Sequence, residues 1–397
     1  MPGPLDGIKI VDVSQVAFGP FATMILADQG AEVVKIEPPG IGDVTRRPNF
    51  ARGGLSAVFM NYNRNKRGMA IDITKPEGCQ IVHELVAEAD VFIQNWRPGV
   101  AERNSLGEVS LRKIKPDLIY CSLSGYGPTG PYAQRRTYDA VIQGLTGHTA
   151  VQKNPEFPMP DLVRHLVVDK SSALYAAQAI TAALFARDRG AGGQHVEIPM
   201  IDASLAFFWP DGMLAQTFIG EDDVPGVTTT DVYRLWFTKD GQIIYILATQ
   251  AEYEGLFRAL KHPEWLDDPR FATTEARAEM ENRETLGGLI EEAIRTMTTE
   301  EVLQRMIDND IPASRVLELD EVLEDPQIEH NKSILEFEHP TAGRYRQAAP
   351  VARFDKTPQD PRRYMPPLLG EHTDEILGDY GYSTEDMKDL RGKGIIP

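Results

Sequence analysis

Within its first 37 residues the chain spells out a strand, a helix and a second strand, and that order restricts the fold more than anything after it. Ile8, Ile10, Val11 and Val13 make residues 8–14 read as a buried strand. Gly19 and Pro20 mark a turn, residues 21–29 read as a helix, and Gly30 closes it. Val33, Val34 and Ile36 then place a second strand over residues 31–37. Strands joined through a helix in so short a span are parallel neighbours. The alternation continues, with strand-like residues at 68–73, 90–94, 117–122 and 194–198 and a helix over 76–89 that opens on Pro76. This pattern predicts an α/β fold with a doubly wound parallel sheet, whose chemistry lies in loops beyond the carboxyl ends of the strands.

At 397 residues the chain is too long for one small core, so two domains are expected. After an apolar helical stretch over 200–217, the rhythm changes. Residues from about 220 to 230 are rich in Gly, Asp and Thr and read as a linker. A hairpin is expected around Lys239, Asp240 and Gly241, joining strands over 232–237 and 242–248. Helices are expected at 251–260, 274–297 and 298–308, with Thr274 as a cap and Thr298 and Glu301 at capping-box spacing. Beyond 330, a strand over 334–339 and proline-rich loops carry too little apolar material for a core of their own. That tail must pack on the first domain or on another chain.

Composition excludes several functions. A net charge of −18 argues against nucleic-acid or anionic-membrane binding. Cys79 and Cys121 stand alone, giving neither a disulfide framework nor a metal pair, so a cytoplasmic location is expected. The first residues lack a signal-peptide pattern. The apolar stretch after Asp169 is broken by Arg187, Asp188 and Arg189, so it reads as a buried helix, with no membrane span expected. No His stands at metal-ligand spacing, so no metal site is expected, and His165 and His195 read as structural. There is no P-loop and no G-x-S-x-G elbow.

Three stretches can carry chemistry. Leu166, Val167 and Val168 read as a strand end, Asp169 as the turn, and residues 170–185 as a long Ala-rich helix. A carboxylate there is either an N-cap or a nucleophile kept ionised by the helix end. The loops at 95–99 and 124–131 follow strands. The glycines of the second match G-x-G-x-x-G as text, but the motif lies on a late strand and contains Pro128. That rules against a dinucleotide fingerprint and leaves either a close-approach loop or a tight turn. Finally Arg46, Arg47, Arg52, Arg64, Lys66, Arg67, Arg97, Arg103, Arg135 and Arg136 all fall in the first 140 residues. They suggest a basic rim for a ligand with several phosphates, or scattered surface charge.

Taken in order, residues 4–14, 19–23, 30–37, 63–67, 71–73, 76–78, 95–99, 124–131, Tyr138 with Asp139, 190–194 and 369–372 resemble the family III CoA-transferases, also called the CaiB/BaiF family. The resemblance runs from about residue 4 to 377. It implies a Rossmann-like large domain formed by both chain ends (1–218 and 330–397), a linker at 219–231, a smaller inserted α+β domain at 232–329, and an intertwined homodimer. It also implies that Asp169 is the nucleophile and that Val16, Ala17, Phe18, Asn95, Arg103, Arg136 and Tyr138 line the CoA site, with Met200 near it. The implied substrates are an acyl-CoA and a carboxylic acid, with no cofactor beyond the CoA thioester. The expected chemistry passes through an aspartyl anhydride and an aspartyl-CoA thioester, with N–H groups of the helix end and glycine loop stabilising the oxyanions.

Two departures bear on specificity. Ala17 stands where oxalate-using members carry Gln, and their small-domain glycine loop is not evident near residues 226–231. The α-methylacyl-CoA racemase branch of the superfamily needs a His where this chain has Tyr138, so that reading lacks a second base. A CoA-binding protein without turnover is the remaining alternative.

Overall fold

The computed structural model describes residues 3–153, 159–220 and 226–397. The chain divides into two compact units, one made of the residues up to Met213 together with His330–Pro397, the other of Leu214–Glu329. Residues 221–225 of the expected linker lie outside the described residues.

The first unit is built on six parallel strands: β1 (Lys9–Asp12), β2 (Glu32–Glu37), β3 (Lys66–Ala70), β4 (Val91–Gln94), β5 (Ile119–Ser124) and β6 (His195–Pro199). Their spatial order is β3-β2-β1-β4-β5-β6. The order reverses between β1 and β4, and the crevice at such a switch point is where doubly wound sheets hold ligands.

Side chains alternate along each strand and feed two cores. Ile10, Val33, Ile93, Ile119 and Cys121 face α1 (Phe18–Asp28), α5 (Val167–Ala186) and α6 (Met200–Gly212). Val11, Val34, Phe92 and Tyr120 face α2 (Pro76–Glu88) and α3 (Glu108–Ile114). Ile376, Leu377, Leu390, Ile395 and Ile396 of the C-terminal segment join that second core, so the tail packs back on its own unit. Hydrogen bonds from Asp72 N to Ile395 O and from His372 N to Gly68 O fix it to the edge of the sheet.

Some boundaries differ from the sequence reading, each for a local reason. Helix α1 starts at Phe18, so Gly19 and Pro20 lie in its first turn, where Pro needs no N–H partner. No strand precedes Asp169; α5 already begins at Val167, and α4 (Asp139–Leu145) lies upstream.

The second unit has its own core around Trp236, Phe257, Ile290 and Met306. Strands β7 (Trp236–Phe237) and β8 (Gln242–Tyr245) form the expected antiparallel pair around Gly241, and β8 also pairs β9 (Ala313–Arg315). The helix expected over 274–297 is two helices, α7 (Thr274–Ala278) and α8 (Met280–Arg295), because Glu279 between them is extended. Thr273, not Thr274, caps the first by accepting from Ala276 N. Thr298 caps the next helix, Thr299–Asp308, accepting from Glu301 N. Among the described residues no helix is long and apolar enough to cross a membrane.

Candidate active site

Asp169 lies in the first turn of α5 with 7 % of its surface exposed. It does not cap the helix. The cap comes from another element: Oδ2 of Asp139, at the start of α4, accepts hydrogen bonds from Val168 N at 2.7 Å and Asp169 N at 2.9 Å. Oδ1 of Asp139 accepts from Gln143 Nε2, and Gln143 Nε2 and Oε1 also bond Val163 O and Val163 N. Gln143 thereby ties the segment entering α5 to the residue that caps it. The other leading N–H groups are occupied too, Val167 N by His165 O and Lys170 N by Leu166 O. The expectation that this helix end offers free N–H groups to an oxyanion is therefore corrected.

The charge state also departs from expectation. Burial raises the Asp169 carboxyl to a pKa of about 7, and the neighbouring Asp139 carboxylate adds to the rise. The helix end cannot offset this, because Asp139 already sits on it. Tyr62, from the helix Ala57–Asn63, is raised first by burial and then by Asp169 and Asp139. Its ring packs edge-on to Phe21 at 5.6 Å.

Six carboxylates are buried among the described residues. Asp12, Asp28, Glu37, Asp43 and Asp139 each accept side-chain or backbone hydrogen bonds. The Asp169 carboxylate accepts none among the described residues. Its oxygens are not among the sealed side-chain atoms that lack a partner, so this carboxylate stays accessible from outside the protein.

The loop after β1 is fixed just as tightly. Asn95, following β4, accepts from Gln15 N at 3.0 Å and donates to Gln15 O at 2.7 Å. Asp43 accepts from Val16 N at 3.1 Å and pairs with the fully buried Lys35, whose Nζ also donates to Ser14 O. These clamps hold Val16 at φ +72°, a conformation that a β-branched residue rarely adopts. The loop lies at the switch point of the sheet.

The residues expected to line a CoA site fall into distinct groups. Ala17 is the buried residue preceding α1. The Phe18 and Met200 side chains are buried in the core with Val168, so only their backbones can face a ligand. The Asn95 amide is committed to Gln15. Arg103 and Arg136 are exposed and form no ion pair among the described residues, and neither is bonded to Asp169. Tyr138, 67 % exposed, precedes Asp139 directly.

The wider basic rim is corrected. Arg46 is held bidentately by Glu37, Arg64 by Asp28, Lys66 by Asp12, and Arg67 by Glu375 and Asp379. These four stabilise the fold; Arg52 donates to Arg344 O, and Arg47, Arg97, Arg103, Arg135 and Arg136, like Arg52, remain outside the ion pairs of the described residues. In the glycine loop, a Cβ on Gly125 would lie 2.2 Å from Thr137, and Gly127 and Gly130 have positive φ. Gly125 thus serves close packing, and Gly127 and Gly130 supply left-handed turn conformations. Among the described residues no group of His, Cys, Asp and Glu could hold a metal ion.

The residues missed in the sequence were Gln143 and Tyr62, which no motif marks. Asp139 was visible only as the partner of Tyr138.

A buried carboxylate that accepts no protein hydrogen bond, in a unit whose sheet carries a clamped loop at its switch point, suits covalent transfer chemistry. Comparison with known proteins then decides the family. The model of CoA-transferase family III matches residues 5–373. The chain belongs to CoA-transferase family III. It is a transferase enzyme whose family acts on CoA thioesters. It is 33 % identical to the human succinyl-CoA:glutarate CoA-transferase over 402 residues, covering 99 % of this chain and 90 % of that protein. It is 32 % identical to the succinyl-CoA–D-citramalate CoA-transferase of Chloroflexus aurantiacus, covering 100 % of this chain and 98 % of the relative. The crystal structure of a CaiB/BaiF family protein from Brucella suis superposes with a TM-score of 0.81 at 30 % identity, covering 96 % of this chain and 100 % of that one.

Proposed function

We propose that this family III CoA-transferase moves CoA from an acyl-CoA thioester to a carboxylic acid with Asp169 as nucleophile. The observation that carries the reading is the buried Asp169 carboxylate with no hydrogen bond of its own. One Asp169 oxygen attacks the thioester carbonyl; the C–S bond breaks and the CoA thiolate leaves with the electron pair, giving an acyl-aspartyl anhydride. The thiolate attacks the Asp169 carbonyl carbon, the donor acid departs as carboxylate, and an aspartyl-CoA thioester remains. The acceptor carboxylate repeats both exchanges in reverse. Water must be kept out, and a nucleophile buried to this degree serves that need.

CoA is expected to lie along the switch-point loop, on the backbone of Val16, Ala17 and Phe18 with Asn95 holding that loop in place. Arg103 and Arg136, free of protein ion pairs, suit its phosphates. Tyr138 and the start of α6 at Met200 flank Asp169's side of the site. The names of two relatives favour succinyl-CoA as donor and a dicarboxylic acid as acceptor. Two buried free thiols fit a reducing compartment such as the cytoplasm. Exposed Leu174 and Phe185 on α5 and Phe207 and Trp209 on α6 support a homodimer.

Asp169→Ala should abolish transfer while CoA still binds. Acyl-CoA plus hydroxylamine should leave a hydroxamate on Asp169, read by mass spectrometry. Turnover retained in the variant would overturn the assignment. A racemase would instead exchange deuterium at C2 of a 2-methylacyl-CoA without an acceptor acid.

A further inference from the structure

Gln143 is 1 % exposed, and both ends of its amide are pinned. Oε1 accepts from Val163 N at 3.0 Å, while Nε2 donates to Val163 O at 3.1 Å and to Oδ1 of Asp139. Turning the amide over would set its oxygen against a carboxylate and its nitrogen against an N–H, so its orientation is fixed. Asp139, also buried, spends Oδ2 on Val168 N and Asp169 N. Gln143 is its one side-chain donor among the described residues.

A buried carboxylate that loses a donor takes up a proton more readily, because its charge is no longer compensated. Gln143 thus decides whether Asp139 stays charged where it touches the backbone of Asp169. Burial is the larger cause that raises Asp169, and the Asp139 charge is the other. Around the pair, Tyr62 feels both carboxylates, and His148, bonded to Ser204 Oγ, feels Asp139. Helix α1 offers only Asp28, which Arg64 holds; Asp202 and Asp211 of α6 are exposed, and Lys170 of α5 is half-buried. On β6, Glu197 is exposed and His195 packs against Tyr120 of the second core.

We propose that Gln143 is a positioning residue for CoA transfer: it keeps the Asp139 carboxylate charged against the start of α5, and that charge makes Asp169 a stronger nucleophile toward the thioester. The proposal rests on Asp169 being the nucleophile. A carboxylate is a weak nucleophile, and one beside a fixed negative charge gives up its electron pair more readily. In the attack an Asp169 oxygen bonds to the thioester carbon, the C–S bond breaks, and the thiolate leaves with the electron pair. Negative charge thereby moves from Asp169 to sulfur, away from Asp139. Gln143 keeps both of its amide protons throughout.

The test reads the pH profile of kcat/KM with succinyl-CoA and glutarate. Gln143→Met keeps the volume and removes the hydrogen bonds. Its acidic limb should move roughly one pH unit lower, and plateau kcat should fall roughly threefold, because nucleophilicity falls with basicity. In an Asp139→Asn background the same substitution should move the limb no further. Gln143→Glu should leave the limb in place, since two carboxyl groups in one site share a proton and the bond to Asp139 survives. An unmoved limb in folded Gln143→Met overturns the proposal, as does a shift of equal size in both backgrounds. Where Gln143→Met does not fold, Gln143→Glu decides, and a limb displaced to lower pH there overturns the role. If the unaltered enzyme, given acyl-CoA and hydroxylamine, forms no hydroxamate on Asp169, the nucleophile assignment fails first, and this positioning role with it.

Discussion

At the scale of the residue, Asp169 carries the strongest consequences. Its carboxyl titrates near pH 7 because burial opposes the charge and Asp139 repels it. A nucleophile must be ionised, so kcat/KM should fall on the acid side of about pH 7, and a profile flat down to pH 5 would contradict this. The same shift has a sign for stability. In the unfolded chain the group releases its proton near pH 3.9, far below its folded value. The folded form therefore holds a proton that the unfolded form has lost, and the stability contributed declines as pH rises from about 4 to 7. Asp169→Asn should stabilise the protein progressively over that window, by up to about 4 kcal/mol above it. Thermal melts at pH 4.5 and 8 check this, with the larger gain expected at pH 8. The candidate itself was legible in the sequence as a carboxylate at a helix start. Its charge state was not, since a dipole argument assumes an open helix end and cannot see Asp139 occupying it.

At the scale of the element, two devices hold the site. Asp139 caps α5 from 30 residues upstream. Asp139→Asn should cost about 1 kcal/mol as a weakened cap. It should also move the acidic limb of kcat/KM to lower pH, because the repelling charge on Asp169 is gone; a limb that stays put would assign the shift to burial alone. The charges near it are Asp169, Tyr62 and His148, and His148 is pulled down by burial. The second device is the loop after β1, clamped at Gln15 by Asn95 and at Val16 by Asp43. Asp43→Ala strands the fully buried Lys35 and should destabilise the unit by about 3–5 kcal/mol, measured by urea unfolding. Elements such as β1, β2 and α2 were legible because both sheet faces are buried and runs of Val and Ile mark the strands. The start of α5 was misread as a strand end, because three apolar residues look alike in a buried strand and a buried helix turn.

At the scale of the whole molecule, the exposed apolar residues on α5 and α6 should be covered in solution. Scattering-coupled size exclusion should give twice the mass of the chain. Leu174→Glu with Phe207→Glu should shift that mass toward one chain, and a monomeric unaltered protein would remove the case for the dimer. The order of strands and helices, the parallel sheet and the absence of metal-ligand spacing follow from sequence alone, because hydrophobic period and turn chemistry are local properties. The ordered family blocks likewise marked residue 169 before any coordinates. What only the tertiary structure decided is pairing across distance. Four of the ten basic residues that read as a ligand rim are tied up in ion pairs with Glu37, Asp28, Asp12, Glu375 and Asp379. The helix end that was to serve oxyanions is closed by Asp139, and of six buried carboxylates one is left without a donor. A residue's charge, burial and freedom to react depend on neighbours that the fold brings from far along the chain, and no window of sequence contains them.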